Sequence, residues 1–174
     1  MTDLRYPIGR FEPPARVGPE ERRGFIERIA ALPAEVRRAV DGLGPERLDT
    51  PYRPGGWTVR QVVHHLPDSH LNAYVRMKLA LTEDAPTVKT YEEARWAELP
   101  EARTAPVEIS LALLEALHAR WTLLLRALAP GDFARSFRHP DLGPVTLDHA
   151  LALYAWHGRH HVAHITGLRD RMGW

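Results

Sequence analysis

Along most of the chain, apolar residues recur at intervals of three and four, the period of helices with one buried face. The first such pattern opens at Pro19, a residue suited to a first helical turn, followed by Glu20 and Glu21 where a helix N-terminus favours acids. Phe25, Ile26, Ile29 and Leu32 continue it, Pro33 interrupts, and Val36, Val40 and Leu43 resume it. This predicts a kinked or two-piece helix over roughly 19–42. After the Pro- and Gly-rich loop LDTPYRPGGW, Thr58 reads as an N-cap with Gln61 as its capping-box partner. The helix it starts runs to about Leu81, with Val59, Val63, Leu66, Tyr74, Met77 and Leu81 on one stripe. Pro67 is expected to remove one hydrogen bond and bend it. A third helix spans about 107–128, carried by Leu111, Leu114, Leu117, Trp121, Leu124, Leu125 and Leu128. Thr146 caps a fourth that runs to Met172 and stops at Gly173.

Residues 84–105 read as a mixed loop with room for a helical turn at YEEARWAEL. PGDFARSFRHPDLGP reads as a second long connection, and SFRHPDLGPVTL has room for a short extended stretch. Residues 1–18, with Pro7, Pro13 and Pro14 and no helical period, read as an extended arm on the surface or on a partner subunit. No 20–50-residue repeat is present, which excludes a solenoid. The expectation is an all-α fold: one domain over 1–174, a four-helix bundle with two long crossover loops and an extended N-terminal arm.

Composition changes this picture little. Of 174 residues, 44% are hydrophobic and 26% charged, as in an ordinary globular protein. Lys and Arg number 23 against 22 Asp and Glu, a net charge of +1 that argues against nucleic acid and anionic membranes as partners. No apolar run reaches transmembrane length and the first residues lack a signal-peptide core, so a cytoplasmic location is expected. The absence of cysteine removes disulfides, thiolate ligands and a cysteine nucleophile.

Histidine does change the picture. There are 10, and seven fall in two segments: His64, His65 and His70, then His157, His160, His161 and His164. On the last helix Leu147, Leu151, Tyr154, Gly158, His161, Ile165, Leu168 and Met172 form one stripe facing the core. His161 lies on it and His157 one turn earlier at its edge, and side chains four apart on a helix can converge on one ion. His160 and His164 share that spacing, so spacing alone does not choose between the pairs. In the first segment periodicity favours His70, which continues the stripe of Val63 and Leu66, while His64 and His65 lie beside it. Singly, each histidine reads as a partly buried or surface residue; together the clusters read as a metal site. Asp68, Ser69 and Asp148 read as capping, solvated or supporting residues. Trp57, Trp121 and Trp156 read as core or pocket wall, and Arg60 and Arg159 as solvated.

The segments YPIGRFEPP, LDTPYRPGGWTVRQVVHHLPDSH, SLALLEALHARWTLLLRAL and YAWHGRHHVAHITGLRDRMGW resemble the YfiT branch of the DinB-like superfamily along nearly the whole chain. The resemblance implies a four-helix bundle with a metal held by one histidine of the second helix and two, four apart, of the last. It places the first ligand eight residues after Trp57, at His65, and the others sixteen and twelve residues before Gly173, at His157 and His161. His70 then lines the pocket beside Trp57 and Tyr154. The resemblance further implies metal-dependent hydrolysis of a small molecule, one divalent ion per chain, with zinc or nickel suited to imidazole, and a homodimer. Some DinB-like relatives are instead thiol S-transferases using low-molecular-weight thiols of the bacillithiol type. A metal or ligand-binding bundle without catalysis is a third reading. No HExxH motif supplies a base, and Asp68 is the nearest candidate for a catalytic residue.

Overall fold

Capping residues decide where the long helices of the computed structural model begin and end; the structure describes residues 3–174. Helix α1 (Pro19–Val40) starts after Gly18, whose backbone N–H donates to the Glu21 carboxylate. After α2 (Pro45–Leu48), helix α3 (Val59–Thr82) starts on Thr58. Its hydroxyl accepts from the Gln61 N–H, and the Gln61 side chain accepts from the Thr58 N–H, closing a reciprocal capping box. Two short turns, α4 (Glu93–Trp96) and α5 (Pro100–Thr104), lead to α6 (Val107–Ala127). A 3-10 turn at Pro130–Ala134 and a hairpin of β1 (Ser136–His139) and β2 (Gly143–Thr146) lead to α7 (Leu147–Met172). Helix α7 starts on the Thr146 hydroxyl and ends at Gly173 with φ +67°.

Neither internal proline breaks its helix. α1 continues through Pro33 and α3 through Pro67, so of the kinked or two-piece first helix expected over 19–42, the two-piece form is excluded: the helix is one element. A proline removes one intrahelical bond; buried flanks keep the helix intact around that loss, with Leu32 and Val36 beside Pro33 and Leu66 and Ser69 beside Pro67. The short extended stretch is the β1–β2 hairpin, a small addition to an all-α four-helix bundle. The last residue of the α7 stripe, Met172, is exposed rather than buried.

In the bundle α1 packs against α6 and α7, and α3 also packs against α6 and α7. The first two long helices are therefore diagonal partners, as are the last two. A chain that must reach a diagonal corner needs a long connection, which accounts for the one from α1 to α3 and the one from α6 to α7; the connection over 83–106 is long but joins α3 to α6, which pack against each other, so it is not a crossing. The connections before α6 and before α7 are stitched together: Val88 N–H donates to the Arg138 carbonyl and Arg138 N–H to that of Pro86. The described part of the arm lies against its own α7, with Phe11 edge-on to His149 and the Arg5 carbonyl accepting from His164.

The hydrophobic core has two parts. One holds Leu32, Val36, Val63, Leu66, Leu111, Leu114, Ile165 and Leu168. The other holds Ile26, Ile29, Ala73, Met77, Trp121, Leu125, Leu147 and Leu151. On α1 the two parts adjoin at Ile29 and Leu32; on α3, α6 and α7 they are separated by two to three turns, and those turns carry histidine: His70, His118, and His157 and His161, with His65 beside them at the edge of the first part. A layer of imidazole thus divides the core.

Candidate metal centre

Helix α3 presents His65, and α7 presents His157 and His161 one turn apart. Their ring nitrogens lie within 4.8 Å of one another. His157 Nε2 is 3.4 Å from His65 Nε2 and 3.2 Å from His161 Nε2. Trp57 flanks the group, its ring centroid 4.8 Å from that of His65 and near-parallel to that of His161. Gly158 makes the approach of α7 to α1 possible: a Cβ there would meet Leu32 Cδ2 at 2.4 Å.

Burial sets the charge state. It pushes the His65 imidazole down from 6.5 to about 4. Burial first, then the neighbouring imidazoles, hold His157 and His161 well below 6.5. The three rings are therefore neutral at physiological pH, the form that binds a metal. Ligated by neutral nitrogens at about 2.0–2.1 Å, a tetrahedral ion separates its ligands by roughly 3.3 Å. The 3.2 and 3.4 Å spacings match that donor set.

The remaining histidines differ in what they touch. His64 turns away from the group: its Nε2–H donates to the Ala105 carbonyl at 3.1 Å and its Nδ1 accepts from the Ser110 hydroxyl at 2.7 Å. His160 stacks on Trp156 and faces Tyr6. His164 stacks on Tyr52 and donates to the Arg5 carbonyl. His70 does not line the pocket as expected. It is fully buried behind His157, between His118, Trp121 and Tyr154.

The three imidazoles open onto a cavity of about 460 Å³. Trp57 and Tyr154 line it, with Ser69, Arg76 and Leu153 from the helices, Thr90, Tyr91 and Glu93 from the connection before α6, and His139 and Asp141 from the one before α7. A larger cleft of about 850 Å³ shares Thr90 and Tyr91 with it and is walled by Lys89, Trp96 and Leu99; it contains none of the histidines. Asp68 lies outside the cavity. Burial, with the Glu101 charge adding to it, pushes its carboxyl up to about 6. Burial raises the Tyr91 and Tyr154 phenols above their ordinary 10, so both stay protonated and able to donate.

Arg76 is 9% exposed, its guanidinium donates to the Lys89 carbonyl at 2.7 Å, and it forms no ion pair with a carboxylate among the described residues. Nothing in the sequence period singled it out. The expectation that Arg60 is solvated is corrected: it is 8% exposed, because its guanidinium donates to Asp49 at 2.6 Å and to the Ala105 carbonyl, tying α3 to both neighbouring loops. Asp148 stands away from the histidines and accepts two bonds of 2.8 Å from Arg22.

A model of the DinB superfamily matches residues 28–165, which include all three imidazoles of the centre. The chain belongs to the DinB superfamily. Among relatives in that superfamily, a protein of Bacillus mycoides (strain KBAB4) is 53% identical over the full length of both chains, and one of Bacillus cereus (strain AH820) is 54% identical. Both are named as candidate metal-dependent hydrolases. YfiT from Bacillus subtilis, described as a probable metal-dependent hydrolase with an unusual four-helix bundle topology, superposes with a TM-score of 0.97 at 50% identity over 99% of each chain. The four-helix bundle protein TT2238 shares the fold at a TM-score of 0.60 and 20% identity, over 84% of this chain and 98% of its own. Within this DinB fold, no helix among the described residues is long and apolar enough to cross a membrane.

Proposed function

We propose that this DinB-superfamily protein is a metal-dependent hydrolase of a small molecule, with one divalent ion, zinc or nickel, on His65, His157 and His161. The carrying observation is the convergence of three neutral imidazoles, their nitrogens 3.2 and 3.4 Å apart across the His157 contacts, at the wall of a cavity. The names of the full-length relatives support the same reading. An ion with three protein ligands keeps a position open, and there supplies Lewis acidity and a more acidic water.

The chain's own residues complete the pocket. Tyr91 and Tyr154 offer phenolic O–H donors to a substrate oxygen, and Trp57 walls one side. Arg76, cationic and without a carboxylate partner, holds an anionic group of the substrate. The adjoining cleft beyond Tyr91 takes the remainder of a longer substrate.

Arg76 also favours a second reading, thiol S-transfer. Low-molecular-weight thiols of the bacillithiol type carry carboxylates, which a buried guanidinium would bind. A homodimer is proposed with either activity; Leu71 and Val75, one turn apart and exposed on α3, offer it an apolar face. Sedimentation of the free protein checks that state.

Elemental analysis of tag-free protein tests the metal. The wild type carries about one ion per chain; His65→Ala and His161→Ala lose it, and His164→Ala keeps it at saturation. Equal loss in all three variants, or an ion-free wild type after incubation with zinc and nickel, refutes the assignment. Assays of the loaded protein with simple esters, and with thiols plus an electrophile, separate the two activities.

A further inference from the structure

Pro33 lies within α1 and has no N–H, so it cannot donate to the carbonyl of Ile29 four residues earlier. That carbonyl accepts instead from His118 Nδ1 at 2.6 Å. His118 Nε2 is 2.9 Å from His70 Nδ1, and His70 Nε2 is 3.1 Å from His157 Nδ1. This line of contacts crosses all four long helices, from α1 to α6 to α3 to α7. A second, shorter line ends on the arm. The Arg5 carbonyl is 3.1 Å from His164 Nε2, and His164 Nδ1 is 3.4 Å from His161 Nδ1.

We propose that these two lines of imidazoles, each anchored on a backbone carbonyl, set the tautomers of His157 and His161 so that both turn a bare Nε2 toward His65. His70, His118 and His164 are then positioning residues of the metal centre; the inference rests on the metal reading above.

A carbonyl can only accept, so the proton between Ile29 and His118 sits on His118 Nδ1. A neutral imidazole carries one N–H, which leaves His118 Nε2 as an acceptor. His70 Nδ1 must then be the donor and His70 Nε2 the acceptor, so His157 Nδ1 is the next donor and its Nε2 is bare. The same steps from the Arg5 carbonyl make His164 Nε2 a donor, His164 Nδ1 an acceptor, His161 Nδ1 a donor and His161 Nε2 bare. Both lines end at the same place with the same result. His70 is 0% and His118 1% exposed, so no bulk water offers either ring a different partner.

Two bare nitrogens 3.2 Å apart repel each other unless a cation lies between them. Reversal of the longer line, by a second proton on His118, would place a hydrogen on His157 Nε2 and close the site to an ion. The layer that divides the core is therefore wired to offer lone pairs in one direction.

The test is the tautomeric state of each ring in metal-free wild-type protein labelled with nitrogen-15 at histidine, read from two-bond proton–nitrogen correlations at neutral pH. The expected pattern has the proton on Nδ1 in His118, His70, His157 and His161 and on Nε2 in His164. A proton on Nε2 of His70, His157 or His161 overturns the proposal, and this reading needs no variant to fold. In parallel, zinc is titrated against a chromophoric chelator into the wild type, His118→Phe and His70→Phe. The variants are expected to bind one ion still, about 10–100-fold more weakly. Unchanged affinity in variants that retain the helical circular dichroism of the wild type also overturns the positioning role. Correct tautomers in a protein that binds no zinc or nickel would sink the metal reading and leave the relay standing.

Discussion

Gly158→Ala is expected to change the sign of its effect with the residue opposite it. Gly158 lies on α7 between His157 and His161, and a methyl group there would stand 2.4 Å and 2.8 Å from the two methyls of Leu32 and 3.1 Å from its Cγ. Carbon atoms pack at about 3.5–4.0 Å, so the overlap exceeds 1 Å. A free leucine would swing aside, but Leu32 is 2% exposed and sits in the same core part as Val36, Leu66 and Ile165. Overpacking of this kind costs about 1–3 kcal/mol, while replacing a helical glycine by alanine returns about 1 kcal/mol. The net expectation is a loss of up to about 2 kcal/mol in the wild type. Leu32→Ala alone should cost about 2–5 kcal/mol through the cavity it leaves. In that background Gly158→Ala meets no obstacle and should stabilise by about 1 kcal/mol. Urea unfolding of the four proteins, without metal, measures the cycle. The reasoning fails if Gly158→Ala has the same sign in both backgrounds, for the contact with Leu32 would then not be what limits residue 158.

Other expectations are checked more simply. Burial holds His65 and His118 at about 4 against an ordinary 6.5. The unfolded chain therefore takes up protons first as pH falls through that interval. Metal-free protein should lose stability between pH 6.5 and about 4, by up to about 3 kcal/mol for each of these two groups; denaturation across that range giving a flat profile would contradict it. Asp148→Asn breaks the paired 2.8 Å bonds to Arg22, both partly buried, and should cost about 1–2 kcal/mol in urea unfolding. Arg76→Gln should keep its metal by elemental analysis yet lose affinity for glutathione, used as a carboxylate-bearing thiol, by about tenfold or more in calorimetric titration. Equal affinity would remove the anion-binding role.

The helices were legible because their ends are written in local chemistry: Thr58 with Gln61, Thr146, and Gly173 act within one turn of themselves. The short connecting turns were less so, since their geometry depends on the stitching of Val88 to Arg138, fifty residues away. On the last helix the stripe through His161 pointed inward, and it lies inward. In the first segment periodicity favoured His70, which is buried but stands one residue behind the group rather than in it. Apolar period locates a buried face; it does not distinguish a ring at the cavity wall from one a turn deeper. His118 was missed altogether. The available signal was a histidine spaced four, three and four with Leu114, Trp121 and Leu125 on a core stripe, together with a proline four residues after Ile29.

The separation of His65 from His157 by 92 positions carries a consequence for folding. An ion held by both closes a loop of about that length, as a disulfide would. The chain-entropy model assigns such a closure roughly 4–5 kcal/mol, taken from the unfolded ensemble. This chain has no cysteine with which to form a covalent tether. The ion would serve as a removable staple, fastening the second long helix to the last when supplied and releasing them to a chelator, so that the protein's lifetime in the cell would follow the supply of metal.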